Sequence, residues 1–264
     1  MAVTAEETRG TVEFLRTDWT PPVLQPRHGV AEQLGVRAGR GHPVLVFLGA
    51  MLGALALIST LSIALGFLVT RVILHIGGVA GWDEHINVWL AAHRTPFRTH
   101  ISLIGSIVSG GVVLPIVVGL TAVVCAALRK WRVAAFVVFV LGVESASYRI
   151  TTLVIHRHRP RVVRLEHLPV NASYPSGHTA ASIAVYCGLA LLLSSLIKNV
   201  AFRVTVWAVA LLVVALDITS RLYRGMHHPI DVAGGIVVGV ASVCLLVLVC
   251  RASGAAGRRG EANA

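Results

Sequence analysis

The sequence predicts an all-α protein, a bundle of six transmembrane helices with polar residues gathered at one edge of the membrane. Hydrophobic residues make up 55% of the 264 residues and charged residues only 13%, whereas a soluble domain carries about 25% charged residues. The mean hydropathy is +0.77. Several apolar runs reach the roughly 20 residues that a helix needs to cross a bilayer. Because lipid offers no partner to open backbone groups, we expect these runs to be helices.

The polar N-terminal segment does not have the pattern of a signal peptide. Residues 1–42 mix acidic and basic side chains, and the first apolar run continues for about 28 residues, from Pro43 to Thr70. The apolar core of a signal peptide has only roughly 7–15 residues. We therefore expect residues 1–42 to be a polar cytoplasmic tail and the first run to remain in the membrane.

Six apolar runs predict six membrane-spanning helices, which together form one domain over residues 43–251. We expect them at residues 44–74, 101–128, 133–155, 179–197, 204–219 and 230–249. Between the first two, residues 82–98 mix polar and apolar positions, which is typical of a short interfacial helix with Trp82 and Trp89 at headgroup level and Pro96 at its end. Residues 252–264 are small and polar and predict a disordered cytoplasmic tail.

The distribution of lysine and arginine predicts the orientation, because cytoplasmic loops are enriched in them. With six helices, one side carries Arg37, Arg40, Arg129, Lys130, Arg132, Lys198, Arg203, Arg251, Arg258 and Arg259. The other side holds the loop of residues 156–174, with Arg157, Arg159, Arg161 and Arg164. Either the topology is inverted or these arginines bind an anion outside the cytoplasm. We favour the anion site, at the outer face of a plasma membrane protein, because the motifs below lie on the same side.

The positions of the basic residues and of the cysteines argue against a nucleic-acid-binding protein and against a disulfide-bonded or metal-binding protein. The net charge is +11, but the basic residues fall mostly between apolar runs. That placement suits anionic lipid headgroups, and we expect no nucleic-acid partner. The four cysteines lie inside apolar runs without CxxC spacing, so they are interpreted as small buried hydrophobic residues and not as disulfides or a metal site.

A histidine and an aspartate stand near the start of the sixth helix. His227 precedes Asp231 by four residues, a spacing that places both on one helical face. Asp231 could then accept a hydrogen bond from His227 and orient it as a nucleophile, or act through water. His228, three residues before Asp231, competes for this role, and the residues alone do not decide between the two histidines. Arg221 ends the preceding helix.

Two further strings are suited to binding an anion. Ser176, Gly177 and His178 precede the fourth helix, where free N–H groups and the helix dipole attract anions; His178 could act as a general acid. The simpler interpretation is a serine N-cap. Arg159, held before Pro160, offers a guanidinium that fits phosphate oxygens, although a loop that binds headgroups would explain it equally.

Together, these strings resemble the signature of the type-2 phosphatidic acid phosphatase superfamily, in its integral-membrane branch. The resemblance covers roughly residues 80–250 and rests on Arg159-Pro160, on Pro175-Ser176-Gly177-His178, and on Ser220, Arg221, His227 and Asp231 at the family's spacing. That spacing selects His227 over His228. The resemblance implies a six-helix bundle with its catalytic residues at the extracytoplasmic membrane edge.

The resemblance also implies a role for each residue. His227 would attack phosphorus to form a phosphohistidine, Asp231 would orient it, and His178 would protonate the leaving oxygen. The phosphoryl oxygens would be held by Arg159, Arg221, Ser176 and the Gly177 amide. The family needs no metal or other cofactor, and we expect none here.

One position departs from the family pattern. Thr152 stands where the family has a lysine, seven residues before Arg159. Thr152 can still donate a hydrogen bond to phosphate, and we expect Arg157 or Arg149 to replace the missing charge.

Two acids inside apolar runs need partners. Asp217, four residues before Arg221, can hold its guanidinium, whereas Glu144 is expected to pair with another helix.

These observations predict an integral-membrane phosphatase that removes a phosphate or pyrophosphate group from a membrane lipid. Polyprenyl pyrophosphate, phosphatidic acid and phosphatidylglycerol phosphate are candidate substrates, with a slight preference for polyprenyl phosphates. One alternative is a lipid transporter or scramblase, which would explain the buried acids. The other is a non-catalytic protein on the same fold, which would explain Thr152 in place of the lysine. The sequence does not predict an oligomeric state.

Overall fold

The protein is a helical bundle in the computed structural model, which describes residues 20–37 and 43–262. These residues contain no β-strand. The helices are α1 (Val30–Arg37), α2 (Pro43–Arg71), α3 (Val79–Ala92), α4 (Pro96–Val108), α5 (Val113–Ala127), α6 (Trp131–Val154), α7 (Gly177–Leu196), α8 (Val200–Tyr223) and α9 (Pro229–Ala262). One π-helical turn, Ile183–Cys187, lies within α7.

Six helical segments are long and apolar enough to span a membrane, which confirms the predicted fold class. They are Val44–His75, Pro96–Ala127, Trp131–Val154, Gly177–Leu196, Val200–Tyr223 and Pro229–Ala256. The second segment consists of α4 and α5 together, and the others correspond to α2, α6, α7, α8 and α9. The chain is therefore an integral membrane protein.

The start of the second span differs from the prediction. Pro96 does not end the interfacial helix, since α3 ends at Ala92 and Pro96 is the first residue of α4. Thr95 caps α4 by accepting a hydrogen bond from the Arg98 amide at 3.3 Å. Proline is favoured at a first helical position because its missing N–H group would have no partner there. The predicted continuous helix 101–128 is also interrupted, by a turn at Gly110 and Gly111.

The C-terminal segment also differs from the prediction. Helix α9 continues to Ala262, where we expected disorder from residue 252. Ala252, Ala255 and Ala256 are buried, and the α-carbon of Gly35 in α1 lies so close to α9 that an added Cβ would be 2.4 Å from the Ala252 carbonyl oxygen. Small residues thus allow two helices to pack tightly here. Much of the predicted tail 1–42 lies outside the described residues; within it, residues 30–37 form α1.

The helices α7 and α9 are the most enclosed spans. About two-thirds of the apolar window of α7 is buried (67%) and more than half of that of α9 (56%), compared with 17–33% for the other four spans. The main apolar core joins them to α2 and α6 through Ile58, Phe136, Ala184, Val238 and Leu246. The N-termini of the two central helices meet at one end of the bundle, where the Ser176 amide donates to the Asp231 carbonyl at 2.9 Å.

Two glycines of α9 permit this close approach. A Cβ atom on Gly235 would lie 2.6 Å from the Ser176 carbonyl oxygen, and one on Gly239 would lie 2.7 Å from the Ala180 carbonyl oxygen. Both neighbours are backbone atoms, which cannot rotate away. The packing of α9 on α7 therefore sets the position of Ser176 and the residues after it.

Replacing Gly239 with alanine should lower the free energy of unfolding by about 1–3 kcal/mol, the usual cost of overpacking. Thermal unfolding in detergent measures the effect. Gly142→Ala in α6 is the matched control, because a Cβ there meets nothing within 4 Å. Equal effects of the two substitutions would contradict the close packing of α7 and α9.

Candidate active site

The loop between α6 and α7 folds back on itself beside the starts of α7 and α9. The Arg157 and Arg159 amides donate to the carbonyls of Asn171 and Val170 at 3.1 and 2.9 Å, and the Ser173 amide donates to the Arg157 carbonyl at 3.0 Å. These bonds satisfy backbone groups that burial would otherwise leave without water. As a result, Arg157, Arg159 and Ser173 lie side by side.

The nucleophile candidate, His227, is reached through a turn after α8. Gly225 adopts a φ of +69°, a left-handed conformation that favours glycine. The turn returns the chain to the loop, and Asn87 of α3 fixes it by donating to the His227 carbonyl at 2.9 Å. His227 is consequently buried, with only 2% of its surface exposed.

The hydrogen bonds of His227 define its tautomer. Its Nδ1 lies 2.6 Å from the Ser173 carbonyl oxygen, which can only accept, so Nδ1 carries the proton. The lone pair is then on Nε2, 3.4 Å from Nη1 of Arg159. Burial, and next the charge of Arg159, hold the pKa of His227 well below its ordinary value. The imidazole is therefore neutral at pH 7 and available as a nucleophile.

Asp231 does not bond to His227 directly, in contrast to the geometry that we expected. Its carboxylate accepts from the Ser173 hydroxyl at 2.6 Å, from the amide and Nδ1 of His228 at 2.8 and 3.1 Å, and from Arg157. The four-residue spacing fails because α9 begins only at Pro229, so His227 is not on its face. Ser173 lies between them, since its hydroxyl bonds to Asp231 and its carbonyl to His227.

The same bonds distinguish the two histidines. Both ring nitrogens of His228 face carboxylates, Nδ1 that of Asp231 and Nε2 that of Glu84, each at 3.1 Å. His227 instead directs Nε2 towards a cation. The geometry therefore favours His227, as the spacing of the family motif does.

Thr152, Arg149 and Arg157 are not arranged as a replacement for the missing lysine. The Thr152 hydroxyl donates to the Arg149 carbonyl of its own helix at 2.9 Å, and Arg149 itself is exposed. Arg157 is buried between the carboxylates of Asp83 and Asp231, to which it donates one hydrogen bond each. Arg157 therefore links α3, the loop and α9.

The other predicted residues do lie together. Arg159 is buried and donates to the carbonyls of Pro169 (2.8 Å), Ala172 (3.0 Å) and Met226. Ser176 precedes α7 but its side chain caps no backbone amide; its hydroxyl lies 3.0 Å from that of Thr179. The simple N-cap interpretation is thus wrong.

Gly177 and His178 complete this group. A Cβ on Gly177 would lie 2.9 Å from the ring of Tyr148, so a side chain does not fit there. His178 follows at the start of α7 and lies within electrostatic reach of Arg221, Glu166 and Arg159.

Asp217 lies where it was expected, beside Arg221. One carboxylate oxygen is 3.9 Å from Nε of Arg221, and the other accepts from the Thr179 hydroxyl at 3.0 Å. Asp217 therefore links the end of α8 to the start of α7.

The Glu144 carboxylate is buried and accepts from Ser145 at 3.2 Å, while its other oxygen has no partner among the described residues.

Sequence reasoning missed an anion that contacts Arg221. The Glu166 carboxylate, in the α6–α7 loop, accepts from Arg221 at 2.8 and 3.0 Å, from Arg224 at 2.5 Å and from Ser106 at 2.7 Å. Burial raises its pKa, but these hydrogen bonds and the charge of Arg221 outweigh burial and lower the pKa to about 2. The sequence did hold one indication of a polar contact here, since Ser102 and Ser106 interrupt the apolar run of α4.

The described residues contain no group of three or more His, Cys, Asp and Glu side chains that could hold a metal ion.

The fold and the site define a class, a helical membrane protein with a neutral imidazole beside buried arginines at one end of the bundle. Residues 133–254 match the model of the PAP2 superfamily. A curated relative, phosphatidylglycerophosphatase B of Bacillus subtilis (strain 168), is 27% identical over 184 residues, which are 68% of this chain and 88% of the relative. The resemblance to the PAP2 superfamily that the motifs predict is confirmed, and so is the predicted enzyme class, a membrane phosphatase.

A solved structure has the same fold. It is a transmembrane PAP2-type phosphatidylglycerolphosphate phosphatase from Bacillus subtilis, which matches with a TM-score of 0.58 and 23% sequence identity. The match covers 77% of this chain and 93% of that structure. The likeness therefore extends beyond the motif residues to most of the bundle.

Arg157→Ala should lower the free energy of unfolding by about 3–5 kcal/mol, because it leaves buried carboxylates without their cation. Arg149→Ala, an arginine exposed on the preceding helix, is the control and should change stability by no more than about 0.5 kcal/mol. Chemical or thermal unfolding in detergent checks both. Unchanged stability of Arg157→Ala with a selective loss of phosphate affinity would instead assign Arg157 to phosphate binding.

Proposed function

We propose that this phosphatase hydrolyses a phosphomonoester or pyrophosphate of a membrane lipid through a phosphohistidine on His227. One observation carries the proposal: Nδ1 of His227 donates to the Ser173 carbonyl, which leaves the lone pair of Nε2 facing Arg159. A neutral, oriented imidazole beside a cation is suited to attack an anionic phosphoryl group.

The first step transfers the phosphoryl group to the enzyme. Nε2 of His227 forms a bond to phosphorus while the bond from phosphorus to the lipid oxygen breaks, and protonated His178 donates its proton to that oxygen and becomes neutral. Arg159, Arg221, the Ser176 hydroxyl and the Gly177 amide hold the phosphoryl oxygens. Donors that are fixed before the reaction stabilise the charge on the transferring group without reorganisation.

The second step returns the enzyme to its starting state. Neutral His178 takes a proton from water, the resulting hydroxide oxygen bonds to phosphorus, and the bond to Nε2 of His227 breaks. Phosphate leaves, and both imidazoles regain their initial protonation. Asp231 takes no proton; it holds Ser173, whose carbonyl keeps Nδ1–H of His227 in place.

The lipid nature of the substrate is supported by the position of the site and by the comparisons. The cluster lies at the ends of membrane-spanning helices and bonds to α3. Trp82 and Trp89 of this helix are exposed, and tryptophan is typical of the headgroup region. The Bacillus relative is a phosphatidylglycerophosphatase. Phosphatidylglycerol phosphate, phosphatidic acid and polyprenyl pyrophosphate all present the required group. By the loop charges, we place the site outside the cytoplasm in the plasma membrane.

Purified protein in detergent and EDTA should release phosphate from at least one member of a panel of these lipids. His227→Ala should abolish release, because it removes the ring nitrogen that lies 3.4 Å from Nη1 of Arg159 and with it the proposed nucleophile. His158→Ala, an exposed histidine of the same loop, is the control and should retain full activity. Release that survives in the His227→Ala protein would refute the proposed nucleophile, and no release by the unmodified protein would refute the function.

A further inference from the structure

Four hydrogen-bond donors on two helices converge on one carboxylate beside the proposed reaction centre. They are Nη1 and Nη2 of Arg221 and Nε of Arg224, from α8 and the residue that follows it, and the hydroxyl of Ser106 in α4. The carboxylate belongs to Glu166. We call Arg221, Arg224 and Ser106 the anion cradle.

The cradle would bind phosphate at least as well as it binds a carboxylate. A guanidinium presents two parallel N–H groups that match two oxygens of either anion. The side chain of Arg221 is fully buried and that of Arg224 is 6% exposed. Buried cations need an anion close by. Arg221 also has Asp217 at 3.9 Å, but Arg224 bonds to no carboxylate except Glu166 among the described residues, so the cradle requires an occupant in every state of the enzyme.

Glu166 lies in a loop, whereas the side chains that donate to it lie on or next to helices. The donors lie on α4 and at the end of α8, and Arg224 is fixed further by bonds to the Ser102 hydroxyl at 3.2 Å and the Leu165 carbonyl at 3.1 Å. Glu166 lies in the loop between α6 and α7, and 21% of its side chain is exposed. A side chain on a loop can leave without moving a helix.

We propose that Arg224 and Ser106 bind the substrate phosphoryl group together with Arg221, and that Glu166 is an internal ligand that the substrate displaces. The inference rests on the proposed function, since it makes the cradle part of the site where His227 reacts. A phosphomonoester carries about 1.5–2 negative charges and three acceptor oxygens, against one charge and two oxygens for Glu166. The exchange keeps both arginines paired throughout.

Glu166 then sets the affinity for phosphate. Its carboxylate, with a pKa of about 2, is ionised at neutral pH and competes directly with any phosphate for the cradle. Removing its charge should strengthen the binding of phosphate and lower the KM for lipid. A Glu166 that merely held the two arginines in place would have the opposite effect, because its loss would disorder the cradle.

The decisive measurement is the Kd of inorganic phosphate for the full-length protein in detergent, by isothermal titration calorimetry. Glu166→Gln should lower this Kd by about tenfold, since it replaces a charged competitor with a neutral amide that makes weaker hydrogen bonds. Glu32→Gln, a carboxylate-to-amide change in α1 at the opposite end of the bundle, is the matched control and should leave the Kd unchanged. An unchanged or higher Kd for Glu166→Gln would overturn the proposal.

Further variants separate the cradle from general effects on folding. In the Glu166→Gln background, Arg224→Gln and Ser106→Ala should each raise the phosphate Kd again; no increase in either would remove Arg224 and Ser106 from the site. If Glu166→Gln does not fold, Glu166→Asp keeps the charge but shortens the side chain by one methylene, and it should also lower the Kd. Because phosphate binding needs no turnover, these results remain valid even if no lipid is hydrolysed, so the two proposals fail independently.

Discussion

The rest of the site depends on the hydrogen bonds that the buried carboxylate of Asp231 accepts. One oxygen accepts from Arg157, and the other accepts from the Ser173 hydroxyl and from the amide and ring of His228. The backbone carbonyl of Asp231 also accepts from the Ser176 amide. One residue of α9 thus positions the loop that orients His227, the start of α7, and the arginine that reaches α3. A charged group at full burial is tolerated only with this number of partners.

The charges of the site are paired unequally. Arg157 lies between Asp83 and Asp231, and Arg221 and Arg224 share Glu166. Arg159 differs, because within the described residues its donors meet carbonyl oxygens and the imidazole of His227, and no carboxylate. Burial lowers the pKa of Arg159, which reflects this lack of a bonded counter-ion. An anion that bound there would supply the missing charge next to Nε2 of His227.

The interfacial helix α3 is a structural part of the site. Asp83 accepts from the Ile230 amide at 3.0 Å, which satisfies one of the free N–H groups at the start of α9. Asn87, one turn later, bonds to the carbonyls of Leu222 and His227. Helix α3 therefore fixes both ends of the segment that carries His227.

The sequence was sufficient for the features that depend on local pattern. The six spans could be predicted from the length of the apolar runs, because each segment in lipid must satisfy its own backbone hydrogen bonds by forming a helix. The grouping of Arg159, Ser176, Gly177, Arg221 and His227 was implied by the resemblance to the family signature. The path from Asp231 to His227 through Ser173 did not follow, because it depends on where α9 begins and on how a loop of about 20 residues folds back. Glu166 and Arg224 were missed for the same reason: their contact joins segments that are 58 residues apart.

Transfer of the phosphoryl group to Nε2 of His227 can be tested by trapping the proposed phosphohistidine. The protein would be mixed with a lipid substrate labelled with ³²P in the terminal phosphate, quenched rapidly under alkaline conditions, digested and mapped. We expect an acid-labile, alkali-stable label on the peptide that contains His227, and no such label on the His227→Ala protein. A label on His178, or a label that persists when His227 is replaced, would contradict it.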